Sequence, residues 1–429
     1  MKKIKYNLGL IFVFIIQLVA LILILVSPGI QNNYGGISLI LGKVFGVIGM
    51  SLFATSLILS ARYKFLENIF YGLNKVYARH GQIGKTAFYL MLLHPVFIFY
   101  SYFGTFNFKT FLGFITPTST NWPLNFGIIA LSLLIILISL TIYFRPKYHI
   151  WKRTHKFMGL VFFLGGLHAF LIPSDLASFL PLKIYMLTLS GLGIFSYVYH
   201  TILGFYNTKK YKYKVKEVRD LGENITEVVL EPAGEKLNFI SGQYAFISFD
   251  SVETGRESHP FSFSSNEKQD FISFTVKNLG DFTSKVKNLA INTVAQIEGP
   301  FGKFSYKESD SKKQIWIAGG IGITPFLSMA KSIINDADYN IDLYYCVRNE
   351  KEAVYLNELL ALKDEKINII PHFSDTMGFI NADIIKEKSG LEEKSIFICS
   401  PVFMIKALKK QFSLQGIPRN AIYSEEFSL

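Results

Sequence analysis

Cysteine is nearly absent: 429 residues carry two, Cys346 and Cys399, both in the polar second half. That excludes a disulfide framework and suits a reducing compartment. Charge is sparse as well, with Asp, Glu, Lys and Arg making up 18% of the chain against 50% hydrophobic residues. Mean hydropathy is +0.31. A chain of this length has room for two or three domains, and part of it must live in lipid. Acidic residues are outnumbered 32 to 44, leaving a net charge of +12. The excess gathers at the ends of apolar segments, which argues against a nucleic-acid partner. No EF-hand loop occurs, so calcium control is not expected.

What is present begins with six apolar segments, at about 8–26, 37–61, 87–103, 124–144, 157–172 and 182–206. Most approach the twenty residues needed to span a bilayer. The first follows Lys2, Lys3 and Lys5 like a signal-peptide core, but it is long and Ser27-Pro28-Gly29 is a poor cleavage site, so it reads as retained. The second connection (Arg62, Lys64, Lys75, Arg79) and the fourth (Arg145, Lys147, Lys152, Arg153, Lys156) are basic, and the others are nearly free of Lys and Arg. By the positive-inside rule both termini face the cytoplasm.

Two histidine pairs stand in this half. His80 and His94 are fourteen residues apart, about 21 Å along a helix and about 40° apart on one face. His155 and His168 bracket a similar apolar run at a spacing of thirteen. A lone histidine in such a run is an ordinary packing residue; four in two like-spaced pairs at membrane depth point to function. Two adjacent helices would hold two stacked bis-histidine haems, with His80 and His155 at the inner level and His94 and His168 at the outer. The thirteen-residue spacing leaves its pair about 140° apart on an ideal helix, and Gly165-Gly166 is a place for a correcting bend or π-bulge, or for close backbone approach to a macrocycle. His149 is an alternative partner in a charged loop.

The second half opens with a basic juxtamembrane run, 208–220, suited to anionic lipid headgroups or simply to solvent. Alternation of period two follows, then strands alternating with helices from about residue 313. The expected fold is a six-helix transmembrane haem-binding bundle (1–207) fused to a ferredoxin-reductase-like half. That half comprises an antiparallel β-barrel FAD domain (208–311) and an α/β parallel-sheet NADPH domain (312–429). The turn Gly319-Gly320-Ile321-Gly322 after a strand, with Thr324-Pro325 opening a helix, offers backbone N–H groups to a pyrophosphate. Arg348 ends the next strand, where a cation can accept a 2′-phosphate, unless it merely pairs with Glu352. In HPFSFSS, 259–265, Phe261 offers an aromatic face to an isoalloxazine ring and Ser262 a hydroxyl. Lys277 and Gly280-Asp281-Phe282-Thr283 form either a flavin-pyrophosphate nest or a capped helix start.

The histidine pairs, HPFSFSS, KNLGDFTSKV, GPFG at 299–302, IAGGIGITPF, Cys399-Ser400-Pro401 and the terminal SEEFSL resemble the NADPH oxidase and ferric reductase superfamily, most closely its prokaryotic NADPH oxidases. The resemblance covers nearly the whole chain and includes the thirteen-residue spacing. It implies that His80, His94, His155 and His168 bind two b-type haems, and that Pro260, Phe261 and Ser262 lie along the flavin ring with His259 toward its phosphates. It implies further that Gly280 to Thr283 hold the pyrophosphate. Gly319, Gly320, Gly322, Thr324 and Pro325 would cradle NADPH, Arg348 would meet its 2′-phosphate, and Cys399 would lie beside the nicotinamide. Phe427 matches an aromatic that moves off the flavin when nicotinamide stacks, although here Ser428-Leu429 follow it. His259 stands where the family often has arginine.

The implied activity is transfer of electrons from cytoplasmic NADPH (NADH possibly accepted) through FAD and two haems to dioxygen, giving superoxide at the haem edge. Arg79 or Lys152 would lie near the inner haem propionates. A ferric-chelate reductase with the same pathway is the alternative, and a haem-bearing electron-donor subunit is a third class. The outer loops carry only Lys109, Asp175 and Lys183 as main charges, which weakly favours a small neutral acceptor. The expected setting is a bacterial cell membrane, with lipid as the one macromolecular surface and no obligatory protein partner.

Overall fold

The computed structural model describes residues 2–32, 36–117, 120–144, 146, 148–204, 209–333, 338–362 and 366–426. Two compact units divide the chain, residues 3–207 and 208–429.

The first unit is helical because its long apolar runs can satisfy every backbone group only internally once they enter lipid. Its main helices are α1 (Lys2–Leu25), α2 (Gly36–Ser60), α3 (Leu73–Phe103), α4 (Trp122–Ser139), α5 (Tyr148–His155), α6 (Met158–Leu171) and α7 (Leu180–Tyr197). Six stretches are long and apolar enough to cross a membrane, with α5 and α6 together supplying one. α3 begins at Leu73, well before its apolar part, and includes Pro95. α2 packs on α3 and α7, and α4 on α6. α2 approaches α3 through small residues: a Cβ at Gly42 would meet Ile98 at 2.7 Å and one at Gly49 would meet Met91 at 3.1 Å. Lys43 of α2 pairs with buried Asp175, just after α6, at 2.6 Å.

The bend expected at Gly165-Gly166 is not there. α6 runs through both glycines, and the helical path breaks instead at Lys156-Phe157, directly after His155. π-helical turns occur elsewhere, at Leu140–Phe144 and Val198–Leu203.

The second unit holds two sheets. Strands β1 (Tyr211–Asp220), β2 (Ile225–Pro232), β3 (Tyr244–Phe249), β4 (His259–Ser262), β5 (Ile272–Lys277) and β6 (Val294–Phe301) pair in the order β4-β3-β6-β1-β2-β5. Every pairing is antiparallel, and a bridge from Phe263 to Phe274 brings the two sheet ends together into a nearly closed barrel. Its core includes Tyr213, Val228, Ile247, Phe263 and Phe274, all inward positions of alternating strands.

The parallel sheet, β7 (Lys313–Gly319), β8 (Asn340–Val347), β9 (Ile367–Phe373), β10 (Ser395–Ser400) and β11 (Ile422–Glu426), has the order β11-β10-β7-β8-β9. Helices α8 (Ile323–Ile333) and α9 (Val402–Leu414) follow β7 and β10. Strand order reverses between β7 and β10, so a crevice opens at their carboxyl ends, the place where doubly wound sheets bind ligands. Barrel and sheet are joined by buried polar contacts: Thr275 Oγ1 lies 2.6 Å from Tyr355 Oη, and Ser328 donates to the Ser265 carbonyl at 2.6 Å.

Candidate functional site: two histidine pairs and a reductase crevice

The rings of His80 and His155 lie 6.1 Å apart between centroids, at 78° to one another. Those of His94 and His168 lie 6.4 Å apart at 69°. Two metal–imidazole bonds of about 2 Å, with about 1.1 Å from nitrogen to ring centre, call for about 6.2 Å. Both pairs meet that requirement.

Three of the four rings have Nδ1 fixed by a backbone carbonyl of a neighbouring helix. His80 pairs with the Ser56 carbonyl at 2.9 Å, His94 with that of Gly42 at 2.7 Å, and His168 with that of Pro123 at 2.9 Å. A ring whose Nδ1–H is given away presents Nε2 as a ligand. His155 has no Nδ1 partner among the described residues; the Trp151 indole stacks on it at 5.2 Å instead. The break after His155 interrupts the helical register between it and His168, and the two rings meet His80 and His94 respectively.

The outer rings share a local device. A Cβ at Gly46 would come within 2.9 Å of His94 Nδ1, and one at Gly127 within 2.7 Å of His168 Cγ. Each glycine sits four residues after the carbonyl that receives the ring's hydrogen bond, so each ring lies flat on one helical turn. Glycine alone leaves room for it. Sequence reading overlooked both glycines, although their i+4 relation to Gly42 and Pro123 is visible once the histidine partners are known. Arg79 donates to Gln82 at 2.6 Å, whereas Lys152 joins Arg62 and Lys156 in bringing positive charge to His200. The His149 side chain lies outside the described residues.

In the barrel, β4 sets His259 and Phe261 on one face and Pro260 and Ser262 on the other. His259 stacks on Phe282 at 4.0 Å and meets Glu257 at 3.1 Å. Phe261 stacks on Phe274 and Phe282, at 5.3 and 6.2 Å, so much of its face is turned to the barrel core. The Ser262 hydroxyl is buried and has no hydrogen-bond partner among the described residues. An orphaned hydroxyl at a strand end is what a flavin edge would satisfy. At 280–283 the amides of Leu279 and Gly280 both donate to Thr283 Oγ1 at 2.9 Å. Those two donors are therefore already engaged, as in a capped turn. Lys277 ends β5 partly exposed, and Asp281 is exposed.

In the crevice, Gly319 closes β7 and Gly320 turns with φ +57°. A Cβ at Gly319 would meet Ser400 at 2.6 Å, and one at Gly322 would collide with the Cys399 carbonyl, so the turn is pressed against the end of β10. Thr324 donates to the Ile321 carbonyl at 3.1 Å and Pro325 lies buried in the first turn of α8. Cys399 is fully buried, and burial first, then the Glu425 carboxyl, pushes its thiol well above the usual range. Burial pushes Cys346 up to about 12. Arg348 lies at the end of β8 with Nε 3.3 Å from Asp375 Oδ1, a different partner from Glu352. Phe427 lies outside the described residues.

Glu425 was not foreseen. It faces Cys399 across the β10–β11 pairing, is 4% exposed, and neither carboxyl oxygen has a hydrogen-bond partner among the described residues. Burial raises its pKa to about 8. A Cβ on Gly302 of the barrel would lie 3.5 Å from its Oε1, so the carboxyl stands where barrel and sheet meet. An acidic residue near the end of a strand gives no sign in sequence of which face it takes.

Comparison with known proteins covers the chain in three parts. Residues 45–166 match the ferric reductase like transmembrane component family, 210–323 an FAD-binding domain and 316–410 an oxidoreductase NAD-binding domain. The toluate 1,2-dioxygenase electron transfer component of Pseudomonas putida is 26% identical over 51% of this chain and 68% of its own length. Flavohemoprotein A of Dictyostelium discoideum is 26% identical over 48% of this chain and 57% of its own. The flavohemoglobin of Malassezia yamatoensis, solved with FAD and heme, is similar in fold, with TM-score 0.53 and 15% identity over 94% of this chain and 98% of its own. The chain is thus an integral membrane oxidoreductase that joins a ferric-reductase-like transmembrane component to an FAD- and NAD-binding reductase half, a make-up consistent with the NADPH oxidase and ferric reductase superfamily.

Proposed function

We propose that this protein is a transmembrane NAD(P)H oxidase of a bacterial cell membrane. It takes reducing equivalents from a nicotinamide coenzyme on the cytoplasmic side, where both termini lie, and delivers single electrons to dioxygen on the other, giving superoxide. Two b-type haems at the histidine pairs and FAD in the barrel would supply the electron-carrying chemistry. The domain limits proposed are 1–207, 208–311 and 312–429.

The observation that carries this reading is the spacing of the ring pairs, 6.1 and 6.4 Å, at two levels of one bundle. His80 and His155 would hold the inner haem and His94 and His168 the outer, with Nδ1 bonds fixing ring orientation and leaving Nε2 to iron. Each pair would offer its haem two imidazoles, a ligand set suited to passing electrons and not to binding dioxygen. Lys152, with Arg62 and Lys156, places positive charge suited to carboxylate propionates. In the reductase half Ser262 would hydrogen-bond the flavin, with Pro260 along the ring and His259, Lys277, Gly280, Asp281 and Thr283 toward its phosphates. Gly319, Gly320, Gly322, Thr324 and Pro325 would receive the dinucleotide pyrophosphate, with Cys399 and Phe427 near the nicotinamide. A second reading, reduction of a ferric chelate, is favoured by the matched transmembrane family.

The deciding assay uses the purified chain with haem and FAD, a nicotinamide coenzyme and air-saturated buffer. Reporter reduction that superoxide dismutase suppresses, and that His94→Ala abolishes, is expected. A rate that survives His94→Ala refutes transfer through the outer pair, and a rate insensitive to dismutase but dependent on a ferric chelate selects the second reading.

A further inference from the structure

The coenzyme site carries its own selectivity device. Resting on the reading of the crevice as a dinucleotide site, we infer that it selects NADH over NADPH and that Asp375 is the discriminating side chain.

β8 and β9 are parallel neighbours, with Val347 in register with Phe373. Arg348 and Ser374-Asp375 therefore leave the sheet together at its carboxyl edge, one and two strands beyond the glycine turn. That is where the adenosine ribose of a dinucleotide lies in this fold. The two segments are tied by backbone, the Asp375 N–H donating to the Arg348 carbonyl at 3.0 Å. They are tied again by side chain, Arg348 Nε donating to Asp375 Oδ1 at 3.3 Å. The backbone bond holds the two segments side by side, so a ligand that reaches the exposed Arg348 guanidinium meets the Asp375 carboxylate beside it.

A 2′-phosphate approaching Arg348 must enter beside that carboxylate. The carboxylate repels the two phosphate charges about as strongly as the neighbouring guanidinium attracts them, so the pair gives a 2′-phosphate no net gain, while a hydrogen bond from a ribose hydroxyl to the carboxylate is worth about tenfold in binding. The ribose of NADH brings a neutral 2′-hydroxyl, which can donate to the same carboxylate oxygen. Arg348 serves here as the partner that orients the acceptor. Among the described residues the ion pair of Arg348 is with Asp375 and not with Glu352.

The test measures anaerobic flavin reduction by NADH and by NADPH in the full chain loaded with haem and FAD, for the wild type, Asp375→Asn and Arg348→Ala. The wild type should show kcat/KM about tenfold higher for NADH. Asp375→Asn should lose most of that preference, through a lower KM for NADPH, while Arg348→Ala should not reverse it. A wild type that prefers NADPH, or an Asp375→Asn change that is equal for the two coenzymes, overturns the inference but leaves the dinucleotide site standing. Flavin reduction by neither coenzyme overturns the site reading itself, and the inference with it.

Discussion

Glutamine at position 425 is the most informative single change in the reductase half. Glu425 is buried without a hydrogen-bond partner among the described residues, and its pKa stands near 8 against an ordinary value of 4.5. A carboxyl with a raised folded pKa stays protonated in the native protein while the unfolded chain has already lost its proton. The native state then binds more protons, so stability falls as pH rises. The contribution is complete below about 4.5 and spent once pH passes about 8. Between these limits the slope from one group approaches about 1.4 kcal/mol per pH unit, with a ceiling of about 5 kcal/mol over the window. For a unit of this size that slope is about 3–5 °C of unfolding temperature per pH unit. Release of FAD fluorescence on heating reports unfolding of this half within the intact chain. The wild-type midpoint should fall from pH 5.5 to 7.5 more steeply than that of Glu425→Gln by this amount, because an amide cannot ionise. Parallel slopes in the two proteins would refute the argument that Glu425 is neutral in the fold.

Other outcomes follow from the transmembrane unit. His94→Ala should halve haem content while coenzyme-to-flavin reduction persists; full haem content by pyridine haemochrome assay would remove His94 from the ligand set. Gly127→Val drives a side chain into the His168 ring, so the outer-level haem signal should weaken while the inner-level signal survives in redox titration. Asp175→Asn takes the carboxylate from Lys43, whose ammonium keeps the Gly29 carbonyl at 3.4 Å, a loss of about 1–3 kcal/mol. Lys43→Met with Asp175→Leu should recover most of it, as read by heating curves in detergent; no recovery would mean that packing and not charge is at fault.

Much of this architecture could be read from residue patterns, because membrane spans, period-two strands and a strand-glycine-helix turn are local signals. The histidine pairs were legible for the same reason. What escaped was set by tertiary contact. The thirteen-residue spacing looked wrong because continuity of one helix was assumed, and nothing in Lys156-Phe157 announces a break. Arg348 was weighed against Glu352, four residues away, while its partner Asp375 arrives from the next strand, 27 residues on. Glu425 is hidden by the alternation of its strand, which leaves the buried face undetermined until the neighbouring β10 is placed.

The acceptors that hold three of the four ring nitrogens are peptide carbonyls, at positions 42, 56 and 123. A carboxylate partner can be lost by changing one codon; a peptide oxygen persists whatever side chain its residue carries. The basicity of the His94 and His168 imidazoles is thus insulated from sequence drift at the residues that set it, whereas His80 also meets the Ser56 hydroxyl at 2.9 Å. Evolution can retune such a centre only by shifting one helix against another, or by filling the glycine notch on which a ring rests.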